Sequence, residues 1–137
     1  MISNRVRCQI MSCIVLLALC CGAVWGADDW FRGQWKGTWS QDNGGAGTFR
    51  MTIQGAEDGT LGGSLTAEEN GAEIFSAPLK DVSVTGSKVS MKYEIPGAME
   101  VLIEGEQRDG SIEGVFSFRP VNETSFTPQG SWKASKQ

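Results

Sequence analysis

The sequence predicts an all-β protein: an antiparallel meander of about eight strands closed into a barrel, preceded by an N-terminal signal segment. Three observations predict it. Apolar and polar residues alternate with a period of two through nearly the whole chain after residue 27. Glycine is abundant, 18 of 137 residues, and falls at turn positions and at the centres of strands. No stretch beyond the signal segment holds a helical period with caps. Closing such a meander removes its exposed edges, which favours a barrel. A two-sheet β-sandwich is the alternative arrangement of the same strands.

The elements follow in order. Trp35, Gly37 and Trp39 share one face of the first strand and Gln34, Lys36 and Thr38 the other. The turn Asp42-Asn43-Gly44-Gly45 leads to Phe49, Met51 and Ile53, alternating with Thr48, Arg50 and Thr52. A polar loop ending in Asp58-Gly59 precedes Leu61, Gly63 and Leu65. After Glu68-Glu69-Asn70-Gly71 comes a long strand, 73–85, containing Pro78. Proline cannot donate a ladder hydrogen bond, so a bulge, bend or edge is expected there. Val89, Met91 and Tyr93 form the apolar face of the next strand, and Met99, Val101 and Ile103 that of the one after. Asp109-Gly110 turns into Ile112, Gly114, Phe116 and Phe118, and a loop over 119–128 precedes a last strand carrying Trp132. The runs 53–65 and 103–116 share the order strand, Gly, polar loop, Asp-Gly, strand with a central Gly. Either a duplication or two hairpins of like geometry gives that repeat.

Residues 1–26 read as a secretory signal peptide and 27–137 as a single β-barrel domain. Arg5 and Arg7 supply a basic start, Ile10 to Ala18, extended by Leu19, an almost continuous apolar run, and Gly22, Ala23, Gly26 and Ala27 a small-residue exit. A cut after Gly26 or after Ala23 fits. Leu17-Ala18-Leu19-Cys20 is near a lipobox but has Leu19 where a small residue is expected, so a lipid anchor on Cys20 or Cys21 is the secondary reading. The expected location is therefore exported, secreted or periplasmic. All four cysteines, Cys8, Cys13, Cys20 and Cys21, lie in this segment, and a chain cut after Gly26 has no thiolate for a disulfide, a metal or catalysis.

Composition excludes several chemistries. Without Arg5 and Arg7, 10 basic residues face 16 acidic ones, which argues against nucleic acid and anionic membranes as partners. The chain has no histidine, so it lacks the commonest general base and metal ligand, and a Ser-His-Asp site is impossible. No serine sits in a nucleophile motif, and no phosphate-binding glycine loop joins a strand to a helix. Glu100, Glu104 and Glu106 share a strand face, but it is opposite Met99, Val101 and Ile103 and is expected to face solvent. Asp42 with Asn43, and Glu57 with Asp58, fit turns better than a calcium loop. The sequon Asn122-Glu123-Thr124 lies in the longest loop. The sequence thus assigns no catalytic residue, no metal ligand and no cofactor.

Tryptophan carries the remaining signal. Trp30, Trp35, Trp39 and Trp132 fall near the two ends of the chain beyond the signal segment. Large rings there either fill the barrel where first and last strands meet or form an aromatic floor for a ligand. Trp35, Trp39 and Trp132 are the candidate ligand-binding residues. If the sheet closes, Trp39 and Trp132 meet across the seam, with Gly37 and Gly130 as the bare backbone beneath the rings.

The units Gly33-Gln34-Trp35 and Gly37-Thr38-Trp39 on the first strand, with Gly130-Ser131-Trp132 on the last, resemble the calycin barrels, meaning lipocalins, fatty-acid-binding proteins and avidins. The opening hairpins look most like those of avidin-type proteins, and also like small secreted bacterial barrel domains of unknown function. The middle strands lack the tryptophans of a biotin site, and the lipocalin disulfide is absent. The resemblance implies a barrel in which a basic residue on the last strand meets the first tryptophan, with Lys133 as the candidate. It carries over no ligand residues.

The expected function is a non-enzymatic exported β-barrel that binds a small apolar ligand or a protein partner. A structural or accessory module with a filled core is the alternative, and an enzyme the third reading. Binder and filled module differ in the inward set: Gly37, Gly63, Gly105 and Gly114 open space, while Trp35, Trp39, Phe49, Phe116 and Phe118 fill it.

Overall fold

The computed structural model describes residues 29–137. The expected signal segment, its cleavage site and Cys20 and Cys21 lie outside the described residues. Residues Phe31–Gln137 form one compact unit. A 3₁₀ turn, Asp29–Phe31, precedes eight strands: β1 (Gly33–Gln41), β2 (Ala46–Gly55), β3 (Leu61–Glu69), β4 (Ala72–Thr85), β5 (Lys88–Ile95), β6 (Met99–Arg108), β7 (Ser111–Pro120) and β8 (Thr127–Lys136). They form one closed antiparallel barrel in sequence order, with β8 returning to β1. The architecture is the meander barrel rather than the sandwich, and it is consistent with a calycin-like fold.

Alternation sends one face of each strand inward. Met51, Leu65, Met91, Val101, Ile103 and Ile112 are among the buried residues, while their sequence neighbours lie nearer solvent. The two ends of the barrel differ. At the end reached by the β2–β3, β4–β5 and β6–β7 turns, Phe31, Trp35, Ile53 and Ile112 are almost wholly buried. Trp35 Nε1 donates to the Phe31 carbonyl at 2.8 Å, and the Lys136 ammonium lies 5.6 Å from the Trp35 ring. The terminal-strand base that meets the first tryptophan is therefore Lys136. Lys133 instead points outward to Glu113 at 3.2 Å. This closed end is filled; the opposite end is not.

The turns explain the shared Asp-Gly pattern. Asp109 and Gly110 both have positive φ, 52° and 81°, and form a two-residue hairpin. Around Asp58-Gly59 only Gly59 has positive φ, 86°, and Asp58 accepts hydrogen bonds from the Thr60 amide and hydroxyl at 3.0 and 2.7 Å. The turns differ, but the central glycines answer one need. A Cβ on Gly63 would stand 1.9 Å from the Thr52 carbonyl oxygen, and one on Gly114 1.8 Å from that of Glu104. Neighbouring strands pass too closely there for any side chain.

Pro78 lies close to the expected irregularity. The pairing of β4 with β3 and with β5 shifts around Lys80 to Val82, and Asp81 sits there with φ of 51°. From Lys80 onward β4 pairs with β5; its first half, through Leu79, pairs with β3 only. Pro78, which has no N–H to give, falls in that one-sided half. The side chain of Lys80 bridges the separation to Glu94 at 2.6 Å.

Candidate functional site

The unfilled end holds a cavity of about 220 Å³. Residues from β1, β2, β3, β4, β5, β6, β7 and β8 all reach it, because each inward face ends there. Trp39, Phe49, Phe75, Tyr93, Phe118 and Trp132 give aromatic walls; Met51, Leu65, Ala67, Ile74 and Ile103 add aliphatic surface. Gln41 and Glu69, at the strand ends nearest the mouth, are the polar members beside the Tyr93 hydroxyl.

The space exists because the two large rings at the seam lie against the wall. Trp39 and Trp132 are direct partners across β1 and β8. The Trp132 indole spreads over Gly105, where a Cβ would come within 2.6 Å of the ring. Its Nε1 donates to the carbonyls of Glu104 and Val115 at 3.1 and 3.3 Å. Trp39 lies over Gly47 in the same way, a Cβ there reaching 2.7 Å, and donates to the Thr48 carbonyl at 3.1 Å. The seam pairing is as expected, but the glycines beneath the rings are not. Gly37 is covered by Phe49 and Gly130 by Phe116, each 2.8 Å from an added Cβ. Each ring leans across the sheet rather than along its own strand, so the bare position it needs is on the adjacent strand or, for Trp132, two strands away on β6.

Of the three sequence-predicted residues, Trp39 and Trp132 line the cavity and Trp35 does not. Trp35 is packed at the closed end, 1% exposed. Phe49 meets Trp132 edge-on at a ring distance of 5.9 Å, and Phe75 lies 5.1 Å from Tyr93. Sequence reasoning assigned no site role to Phe75, Tyr93, Gln41 and Glu69. Phe75 carried a readable signal, falling in step with the buried Ala77 and Leu79 on β4. Tyr93 carried a readable signal: it is the sole tyrosine in the chain, a hydroxyl on an otherwise apolar strand face. It is 7% exposed, and burial pushes its phenol pKa up, so it stays neutral. Its hydroxyl has no hydrogen-bond partner among the described residues, yet no buried side-chain polar atom there is left unsatisfied, so the oxygen opens onto the cavity.

Outside the barrel, Glu100 departs from its expected solvated position. It pairs with Lys80 at 2.6 Å and Arg119 at 3.3 Å, with Lys92 at 4.0 Å. The ring of Phe126 packs over Lys92 and Arg119 at 5.7 and 5.6 Å, which brings the β7–β8 loop onto this face. Glu104 is exposed, as an outward residue should be. Among the described residues, no three acidic, cysteine or histidine side chains come together as a metal site. No protein-family model matches the chain, and no curated protein matches its sequence.

Proposed function

We propose that this protein is a non-enzymatic exported binding barrel that holds a small, largely apolar ligand in the open-ended cavity. The observation that carries the reading is the cavity itself: about 220 Å³ of apolar, aromatic-lined space at one end of a barrel whose other end is filled. An apolar cavity of about 150 Å³ stays dry and takes up benzene, while sites for drug-sized molecules begin at about 300 Å³. The volume therefore suits a one- or two-ring molecule or a short branched chain. Trp39 and Trp132 supply ring faces at the seam, and Tyr93, Gln41 and Glu69 supply the few polar groups that orient a ligand. Lys136 over Trp35, with β8 closing on β1, supports the calycin resemblance.

Titration with prodan, a neutral two-ring naphthalene dye, tests the reading. Saturable, blue-shifted emission is expected, and Ala67→Phe, which places a ring inside the cavity, should abolish it while the barrel remains folded. Native mass spectrometry of protein from its own source should show a retained small molecule. A folded protein that takes up neither dye nor ligand is a filled accessory module.

A further inference from the structure

The open end has a consistent charge. The β1–β2 turn, the β3–β4 turn with its flanks, the β5–β6 turn and the 121–126 loop contain no lysine or arginine. They carry Asp42, Glu69, Glu73 and Glu123 instead, and none of these makes an ion pair among the described residues. The basic residues Arg32, Lys88, Arg108 and Lys136 lie at the closed end, and Arg119, near the open end of β7, is engaged by Glu100 at 3.3 Å and the Glu123 carbonyl at 3.0 Å. No basic residue lines the cavity, and its single carboxylate is Glu69. Tyr93, 7% exposed, turns an unpartnered hydroxyl into the same space.

We propose that the ligand is an organic cation: a protonated amine carried on an aromatic or compact apolar body. This rests on the binding reading above and names its ligand class. The apolar body fills the aromatic chamber. The ammonium, at the mouth, meets Glu69, and the faces of Trp39, Phe75 and Tyr93 offer the negative side of the ring quadrupole. The Tyr93 oxygen accepts one N–H. A carboxylate ligand finds no cation in the cavity and is repelled by Glu69. The unpaired rim carboxylates Asp42, Glu69 and Glu73 also raise the local concentration of cations, in a salt-dependent way.

The test compares naphthylmethylamine, naphthylmethanol and naphthoate of the same isomer by calorimetry on protein expressed from the full chain. The amine is expected to bind about tenfold tighter than the alcohol, and naphthoate weakest. Glu69→Gln should remove most of the amine's advantage, read as the ratio of amine to alcohol affinity within each protein. Tyr93→Phe should weaken the amine by a smaller factor. If alcohol or naphthoate equals the amine, the cation inference fails while the cavity reading stands. If the amine keeps its full advantage in Glu69→Gln, the role given to Glu69 fails. If none of the three binds to a protein that melts cooperatively, the cavity reading fails with it.

Discussion

Adjacent residues can differ sharply in what they tolerate. Gly62 and Gly63 are neighbours on β3, yet a Cβ on Gly62 meets nothing within 4 Å while one on Gly63 stands 1.9 Å from a backbone oxygen. Gly62→Ala should be neutral or stabilise by up to about 1 kcal/mol, by restricting the unfolded chain. Gly63→Ala should prevent folding or cost several-fold more, and urea melts of the two variants check the contrast. The seam tryptophans differ too. Trp132 is 6% exposed and gives its N–H to two carbonyls, so Trp132→Ala should cost about 3–5 kcal/mol. Trp39 is half-buried beside existing space, so Trp39→Ala should cost about 1–3 kcal/mol and weaken dye binding more than it lowers stability. Equal losses in the two melts would show that the seam does not distinguish them.

At the level of the strand, regular alternation was legible and its interruption was not. Val89, Met91 and Tyr93 on β5 read directly as an inward face, and all three are buried. On β4, Pro78 marked an irregularity, but the shift lies nearby at Asp81, where positive φ takes an extra residue out of the ladder. A backbone shift of that kind leaves only a local trace in composition; a second one, between Phe75 and Glu73, takes Ile74 out of the alternation, so Ile74 could not be placed at the cavity from the pattern. Asp81→Gly should leave stability unchanged or raise it by about 1 kcal/mol, and Asp81→Val should lower it by about 1–2 kcal/mol, since a β-branched residue resists that conformation. The outer face of β6 was hidden for a different reason: Glu100 finds its partners on β4 and β7, and only the closed sheet brings them together. Hydrogen bonding to Lys80, and then to Arg119, holds the Glu100 carboxyl below its ordinary value of 4.5. Its contribution to stability is therefore full above that value and lost as pH falls through the lower folded one. Melting curves of wild type and Glu100→Gln should differ near neutral pH and converge well below pH 4.5.

For the molecule as a whole, strand number, order and closure could be read because each strand pairs with its neighbours in sequence and every turn from β1–β2 to β6–β7 carries a glycine. The cavity could not, because its volume depends on which way Trp39 and Trp132 lean, and that is decided by Gly47 and Gly105 on other strands. The export reading makes a separate prediction. N-terminal sequencing of the released protein should begin between Val24 and Asp28, and a product starting at Met1 or acylated at Cys20 would overturn the cleavable segment.

The seam between β1 and β8 is the one strand pairing not joined by a short turn. It also holds both tryptophans of the chamber wall, so zipping the two ends of the sheet together and finishing the chamber are a single event. Opening that zipper is the cheapest way for the barrel to breathe, since no covalent turn restrains it. A guest in the chamber binds only the zipped form and must bias the breathing equilibrium toward it. Amide hydrogen exchange should reveal this as protection gained first along Trp35 to Gln41 and Gly130 to Lys136, ahead of the strands on the far side of the barrel.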